Sequence, residues 1–416
     1  MRTVYKIAVS IIFVAILTAA IFVPETTPAD GNTCGDGLNY EVTDHVLSIT
    51  KDSPGTGAMN DYNVEGPWAN DDTVLYIVMG EGVTHIGANA FFGMKNVISV
   101  TMPSTLKSIG RNAFNSCTNI SEIEFPYGLE TIGETAFFSC SSIESLSLPD
   151  TVKDVGKEAF KNCNLVESVK LSKSMTSIQD ECFYMCSSLK SVVIPENVIS
   201  IEKKAFYNCI KLTNVTFNDN LESIGEDAFS LCASLKNFQL PDGLSTIYNY
   251  AFWRCTSLTS VTLPDTVTNM GKNIFQDCTS LKEIVFPRDL ATIPERMFMG
   301  CTSLESMVMP DHLVTIKKEA FRGCTSLTYI EFNKDLKSLE SGAFSSHNFY
   351  DKNGNLLNQT AQNLAGETFQ GESVTEMIKI SGSDDDRERS ILFIAAIAVI
   401  IILILLTAIT YLRRRA

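Results

Sequence analysis

Histidine is scarce, with four in 416 residues at His45, His85, His312 and His347, and none of them falls in a zinc-binding spacing. There is no Gly-x-Ser-x-Gly elbow, no His-Glu-x-x-His and no phosphate-cradling glycine loop followed by lysine. No catalytic residue, no metal site and no cofactor is therefore expected. Basic residues are also in deficit, 33 against 48 acidic ones, for a formal charge of −15. That balance argues against nucleic acid as a partner, because affinity for it comes from Lys and Arg neutralising phosphates. Close carboxylates such as Glu122 and Glu124 sit at alternate positions of one segment and read as a solvated face.

Irregularity is missing too. From Phe91 a step of 23 residues meets phenylalanine twelve times, through Phe206 and Phe252 to Phe344, with no insertion. Composition bias cannot hold one register that long, and a period of 23 lies in the leucine-rich-repeat range. The chain is expected to be a solenoid of about 12 repeats. In each unit a pattern such as Leu258, Val261, Leu263 puts alternate residues of a short strand on the inner side. Pro264 and its equivalents end the strand because proline has no N–H to donate. Glycines such as Gly110, Gly133 and Gly225 are read as bends. Ala-Phe-x-x-Cys is read as one turn of helix with Phe and Cys on its buried face. One coil cannot bury its apolar stripe alone, so stability arises by stacking, and an interior phenylalanine should count for several times more than Phe344 at the end.

Twelve cysteines would suggest disulfides in a secreted chain. Ten of them, from Cys117 to Cys324, recur at the 23-residue step, three after each Phe. Stacked coils carry these side chains in parallel about 4.8 Å apart, whereas a disulfide needs converging vectors with Cβ atoms about 3.8 Å apart. They are expected to be small buried thiols. Cys34 precedes the repeats, and Cys182 replaces the alanine of its own unit.

The flanks differ from the array. Residues 1–29 carry Arg2 and Lys6 before an apolar run, the profile of a signal peptide or an uncleaved N-terminal anchor. Residues 30–79 lack the period and are expected to form a β-rich cap, followed by repeats over 80–346 and a C-terminal cap over 347–382. Within the latter, Asn353-Gly354 signals a turn, while the series Asp351, Asn353, Asn355 has its glycine in the wrong place for a calcium loop. Residues 383–390 form an acidic linker. Residues 391–412 contain no charge and are long enough to cross a bilayer as a helix. The arginines of the tail, 413–416, would place that end in the cytoplasm and the repeats outside. Asn119, Asn214 and Asn358 fit glycosylation sequons.

A resemblance becomes specific in Cys34-Gly35-Asp36-Gly37-Leu38, Gly55-Thr56-Gly57-Ala58-Met59 and Pro67-Trp68, followed by Gly82-Val83-Thr84-His85-Ile86-Gly87-Ala88-Asn89-Ala90-Phe91. The sequence resembles the leader and repeats of BspA-type (Treponema-type) leucine-rich-repeat surface proteins. That likeness implies a right-handed α/β leucine-rich-repeat solenoid used for adhesion or for binding a protein or glycan, without catalysis. The departures are Ile274 and Met297 in place of Ala, Pro294 in place of Gly, and Ser172, Asn218 and Asn333 in place of Pro. Each is expected to tilt a single coil.

Two surfaces could carry recognition. The outward strand columns are mostly small and polar, and only Val285, Val308 and Tyr329 make a local apolar group there. The residue after each Phe also points outward, and that column holds Phe92, Phe138, Tyr184, Tyr207 and Trp253, with Tyr248, Tyr250 and Arg254 in the last unit. Tyr184, Tyr207, Tyr248, Trp253 and Arg254 are the candidate ligand-binding residues, since Tyr, Trp and Arg are enriched at hot spots. The alternative is that the rings only pack on the outer turns. A structural role in a cell-envelope coat competes with the binding role.

Overall fold

The computed structural model describes residues 32–345, 347–350, 353, 355–373 and 376–380. The repeats form a β-solenoid of about eleven turns, one fewer than the phenylalanines suggest. The difference is geometric, because twelve Phe positions bracket eleven first-side segments, from Ser99–Thr101 to Tyr329–Glu331.

The first side of each turn is a short strand whose middle residue is inward, such as Ser191–Val193, which pairs in parallel with Asn214–Thr216 at the 23-residue step. At Asn237 this strand is absent. The Asn237 carboxamide oxygen takes the N–H groups of Thr259 and Ser260 at 3.0 and 3.1 Å, displacing the backbone carbonyl that would otherwise accept there. The second side is a strand of two residues, such as Ser200–Ile201 pairing with Ser223–Ile224.

The third side is not helical. Asn112 and Ser116, on either side of Phe114, have φ of 55° and 63°, and both positions recur with positive φ in coil after coil. A left-handed residue cannot propagate a right-handed helix, so each Ala-Phe segment is a chain of tight turns. Alternate N–H groups then face the next coil, and those of Asn112, Phe114 and Ser116 reach Glu134, Ala136 and Phe138 carbonyls at 3.0, 2.8 and 2.8 Å. Among the described residues the only α-helix is Ala361–Leu364. The glycines also act differently from the expected bends. A Cβ at Gly110 would sit 2.7 Å from the backbone nitrogen of Ala88, so glycine is there for close approach of two coils.

All twelve phenylalanines are buried, and neighbouring rings stack with centroids 4.9–5.8 Å apart. Each stacked pair is worth about 0.5–1.5 kcal/mol beyond the area it buries. The ladder has a thirteenth rung, Trp68, which lies 23 residues before Phe91 and stacks on it at 5.4 Å. Both ends are closed by rings set edge-on: Tyr40 and Tyr62 against Trp68, and Phe349 against Phe344.

Beside the rings runs a ladder of thiols, all free and buried. Each of the ten Cys Sγ atoms donates to the carbonyl of the Phe 26 residues earlier, as Cys209 does to Phe183 at 3.2 Å and Cys117 to Phe91 at 3.0 Å. Burial pushes the thiols of Cys117, Cys186 and Cys232 up to about 12. The column extends beyond cysteine, since Met94 fills its first place and buried His347 its last.

The residues that replace proline bridge neighbouring coils. Ser172 Oγ donates to the Val152 carbonyl at 2.6 Å, and the Asn218 and Asn333 amides reach Val198 and Leu313 carbonyls at 2.9 and 2.8 Å. At two proline-bearing turns a threonine two residues on does the same work, Thr105 for Val83 and Thr151 for Leu129.

Before the first coil, Thr33–Gly35, Leu38–Thr43 and Val46–Lys51 form an antiparallel meander, and the last of these pairs in parallel with Tyr76–Met79, which leads into the first-side strands. After the last coil, Thr368–Ser373 pairs antiparallel with Tyr329–Glu331 and covers an edge that would otherwise offer unpaired backbone groups.

Candidate binding surface

On the strand side, Val285 and Val308 are about half exposed and stand one coil apart in the same outward column. Tyr329 occupies the other outward column, opposite Ser306, and its hydroxyl lies 3.3 Å from Glu331 Oε2. The covering strand runs alongside it, opposite Gln370.

The column after each Phe does gather chemistry. The rings of Tyr184 and Tyr207 lie 4.9 Å apart and parallel within 4°. Lys161, one coil earlier in the same column, places Nζ 4.8 Å from the Tyr184 centroid and 5.7 Å from that of Phe138. Glu158 and Glu181 accept from the same ammonium at 2.9 and 2.5 Å. Burial opposes its charge, yet the two carboxylates hold its pKa above the ordinary lysine value. Lys204 stands 5.7 Å from the Tyr207 centroid. Burial, and then Tyr184 beside it, raise the Tyr207 phenol.

Two coils on, Trp253 and Arg254 share Asp277, their Nε1 and Nε donating to Oδ2 at 3.2 and 3.3 Å. The Arg254 guanidinium carbon lies 4.6 Å from the indole centroid, and Tyr250 meets the indole edge-on at 6.3 Å. Between the two groups sits buried Ser230, held by the Tyr250 carbonyl and Asp227 at 2.6 and 2.7 Å. Tyr248 is half exposed, and Tyr250 rather than Tyr248 makes the ring contact with Trp253. Lys161 and Asp277 were missed because the column was read for aromatics alone. The 23-residue step that pairs Tyr184 with Tyr207 also points to Lys161.

One arrangement looks catalytic at first sight. Ser108 Oγ lies 2.6 Å from His85 Nδ1, and His85 Nε2 lies 3.8 Å from Asp61 Oδ1. The second separation is beyond hydrogen bonding, and Asp61 Oδ1 already accepts the Ala88 N–H at 2.6 Å. The contacts join the leader to the first coils. An open depression of about 400 Å³ is lined by Glu196, Asn197, Ile199, Asn220, Glu222 and Gly243, and its two carboxylates repel anions. Among the described residues no group of His, Cys, Asp or Glu could hold a metal ion, and no helix is long and apolar enough to cross a membrane. The leader 1–29 and the apolar run 391–412 lie outside the described residues.

The pattern of a BspA type leucine rich repeat region matches residues 69–190, 176–305 and 291–393, in six copies. A leucine-rich repeat protein from Bacteroides ovatus is 27% identical, with 77% of this chain and 95% of that one covered at a TM-score of 0.61. A leucine rich cell surface protein from Faecalibacterium prausnitzii is 25% identical, covering 77% and 92% at 0.47. A leucine-rich repeat protein from Eubacterium ventriosum is 22% identical, covering 75% and 93% at 0.43. Among curated proteins none matches the chain.

Proposed function

The chain belongs to the BspA-type leucine-rich-repeat family, and from that membership we propose that it is a membrane-anchored cell-surface protein whose repeat domain binds an extracellular protein or glycan. Anchorage rests on the charge-free run 391–412 and the arginines after it. Binding rests on one observation. In the outer column, partly exposed Tyr184, Tyr207 and Trp253 stand where Asn115, Ser230 and Gln276 do in other coils. Tyr and Trp with an adjoining Arg are the side chains that dominate recognition energy. The coat-component reading has less support, because the leader meander and the antiparallel strand at the far end cover the edges through which coils would stack end to end.

The test displays the full chain on cells and measures their adhesion to arrayed matrix proteins and glycans. Replacing Tyr184, Tyr207 and Trp253 together with Ser should abolish most of the adhesion while the protein still melts cooperatively. Ser230 already serves in that column, so the backbone tolerates it. A triple variant that adheres as well as the parent rejects this surface.

A further inference from the structure

Three columns frame the corner between the turn side and the strand side: the residues one before, one after and two after each ladder Cys. Nearly every place in them is Ser, Thr, Asn, Gly or a charged residue. Leu165, Met185, Ile210 and Leu231 are the four large apolar exceptions, and they fall in four consecutive coils beside the Tyr184–Tyr207 stack. Leu165, Met185 and Ile210 are 49%, 37% and 43% exposed. Met185 and Leu231 share a column with φ of 58° and 62°, a conformation in which a bulky side chain is disfavoured and where Gly300 and Gly323 stand in later coils. Packing does not require them, since Ser116 and Ser139 serve at the same place elsewhere. A cluster that costs both backbone strain and apolar exposure marks an interaction surface.

We propose that the corner of Leu165, Met185, Ile210 and Leu231, rimmed by Lys204 and Lys211, docks a protein segment that presents apolar side chains next to carboxylates. This rests on the binding function proposed above and names its partner class. Two features choose that occupant over a sugar. Tyr184 lies between Lys161 and Tyr207, and Lys204 stands over Tyr207, so the stack offers no open ring platform for a sugar. Lys204 and Lys211 form no salt bridge among the described residues, Asp227 and Glu167 being the carboxylates whose charge they influence, so both ammonium groups keep donors for an incoming carboxylate. Lys204 lies over Tyr207, and Lys211 shares a column with Leu165, so the charge borders the apolar corner. The corner extends about 14 Å, three coil steps of about 4.8 Å, the length of a short peptide segment.

The experiment uses cells displaying the full chain and fluorescein-labelled peptide pools built from Leu and Phe with Asp and Glu, or from Leu and Phe with Lys, with dextran and heparin as competitors. The acidic pool should stain at least about tenfold more strongly than the basic one, and Leu165→Ser, Met185→Ser, Ile210→Ser and Leu231→Ser combined should remove that excess. Lys204→Glu with Lys211→Glu should invert the preference toward the basic pool, a gain that misfolding cannot produce. Equal staining by both pools, displacement by dextran or heparin, or clumping of the displaying cells through this corner overturns the proposal. If the quadruple variant keeps the parent's adhesion to matrix proteins, the corner is wrong and the binding function stands. If the parent adheres to no protein or glycan, both fall.

Discussion

Truncating Phe206 to Ala should open the solenoid locally while leaving distant coils closed. Its ring is fully buried between Phe183 and Phe229, with centroids at 5.4 and 5.3 Å and planes within 8° and 7°. Removing it leaves a cavity with an aromatic ring on each side, at a cost of about 3–5 kcal/mol. At tenfold per about 1.4 kcal/mol, opening of that coil becomes roughly a hundred- to several-thousandfold more frequent. Because each coil touches only its neighbours, the change should be confined. Hydrogen exchange read by mass spectrometry should show it at the Phe206 and Asn208 amides, which bond to Ala228 and Ser230 carbonyls at 2.8 Å. Protection at Phe298 and beyond should be nearly unchanged. Phe344→Ala tests the end of the ladder. Phe344 stacks on Phe321 at 4.9 Å and meets Phe349 edge-on at 5.7 Å, so its local loss should match that of Phe206 instead of being several times smaller. The two variants should differ in position: interior opening against fraying of the last coil. A uniform loss of protection along the whole chain would refute the stacked-coil account.

The remaining predictions concern the ladder of thiols and its last member. Alkylation of the native protein should leave the ten ladder cysteines unmodified, and alkylation after denaturation without reductant should label all ten; finding most of them oxidised would reject the parallel-thiol geometry. Burial holds His347 at about 4, below the ordinary 6.5, despite its hydrogen bonds to the backbone near Cys324 and Leu327. The unfolded chain therefore takes up the proton first, so the contribution of the neutral ring is complete above pH 6.5 and is lost as pH falls toward about 4, by roughly 3 kcal/mol in all. His347→Cys, which installs the ladder's own residue, should remove that acid sensitivity from the last coil, measured by hydrogen exchange at the two pH extremes; an unchanged acid dependence would assign it to other groups.

The repeat was legible because one coil is short and its inward positions tolerate so little variation. What the sequence hid was of two kinds. Trp68 and His347 stand in register at either end, and a search for Phe and Cys by name passes over them although a search by position does not. The turn side was misjudged for a different reason. Its left-handed places hold Asn112, Thr135, Glu158, Lys204, Tyr250 and Arg296, most of which have no preference for that conformation. Hydrogen bonds to the next coil impose it, so the information lies in the stacking and local propensity gives no sign of it.

The candidate surface was legible to the same degree, and for the same reason. The period alone puts Tyr184 beside Tyr207 and keeps Trp253 two coils away. It does not say whether a ring turns its face to solvent or to its neighbour, which depends on what stands one step further along the column. Here Lys161 closes one side of the stack and Ser230 separates it from Trp253, so the aromatics form two groups instead of a continuous stripe. A repeat protein can recognise a partner only where its coils differ, because identical coils present the same surface eleven times over. Departures that improve the core, such as Asn218 bridging to Val198, explain themselves by the bonds they make. A departure that exposes apolar surface in a strained backbone conformation, as Met185 does, gains nothing in packing. It is this second kind, standing beside the partly exposed Tyr184 and Tyr207, that separates a recognition surface from a well-made outer layer.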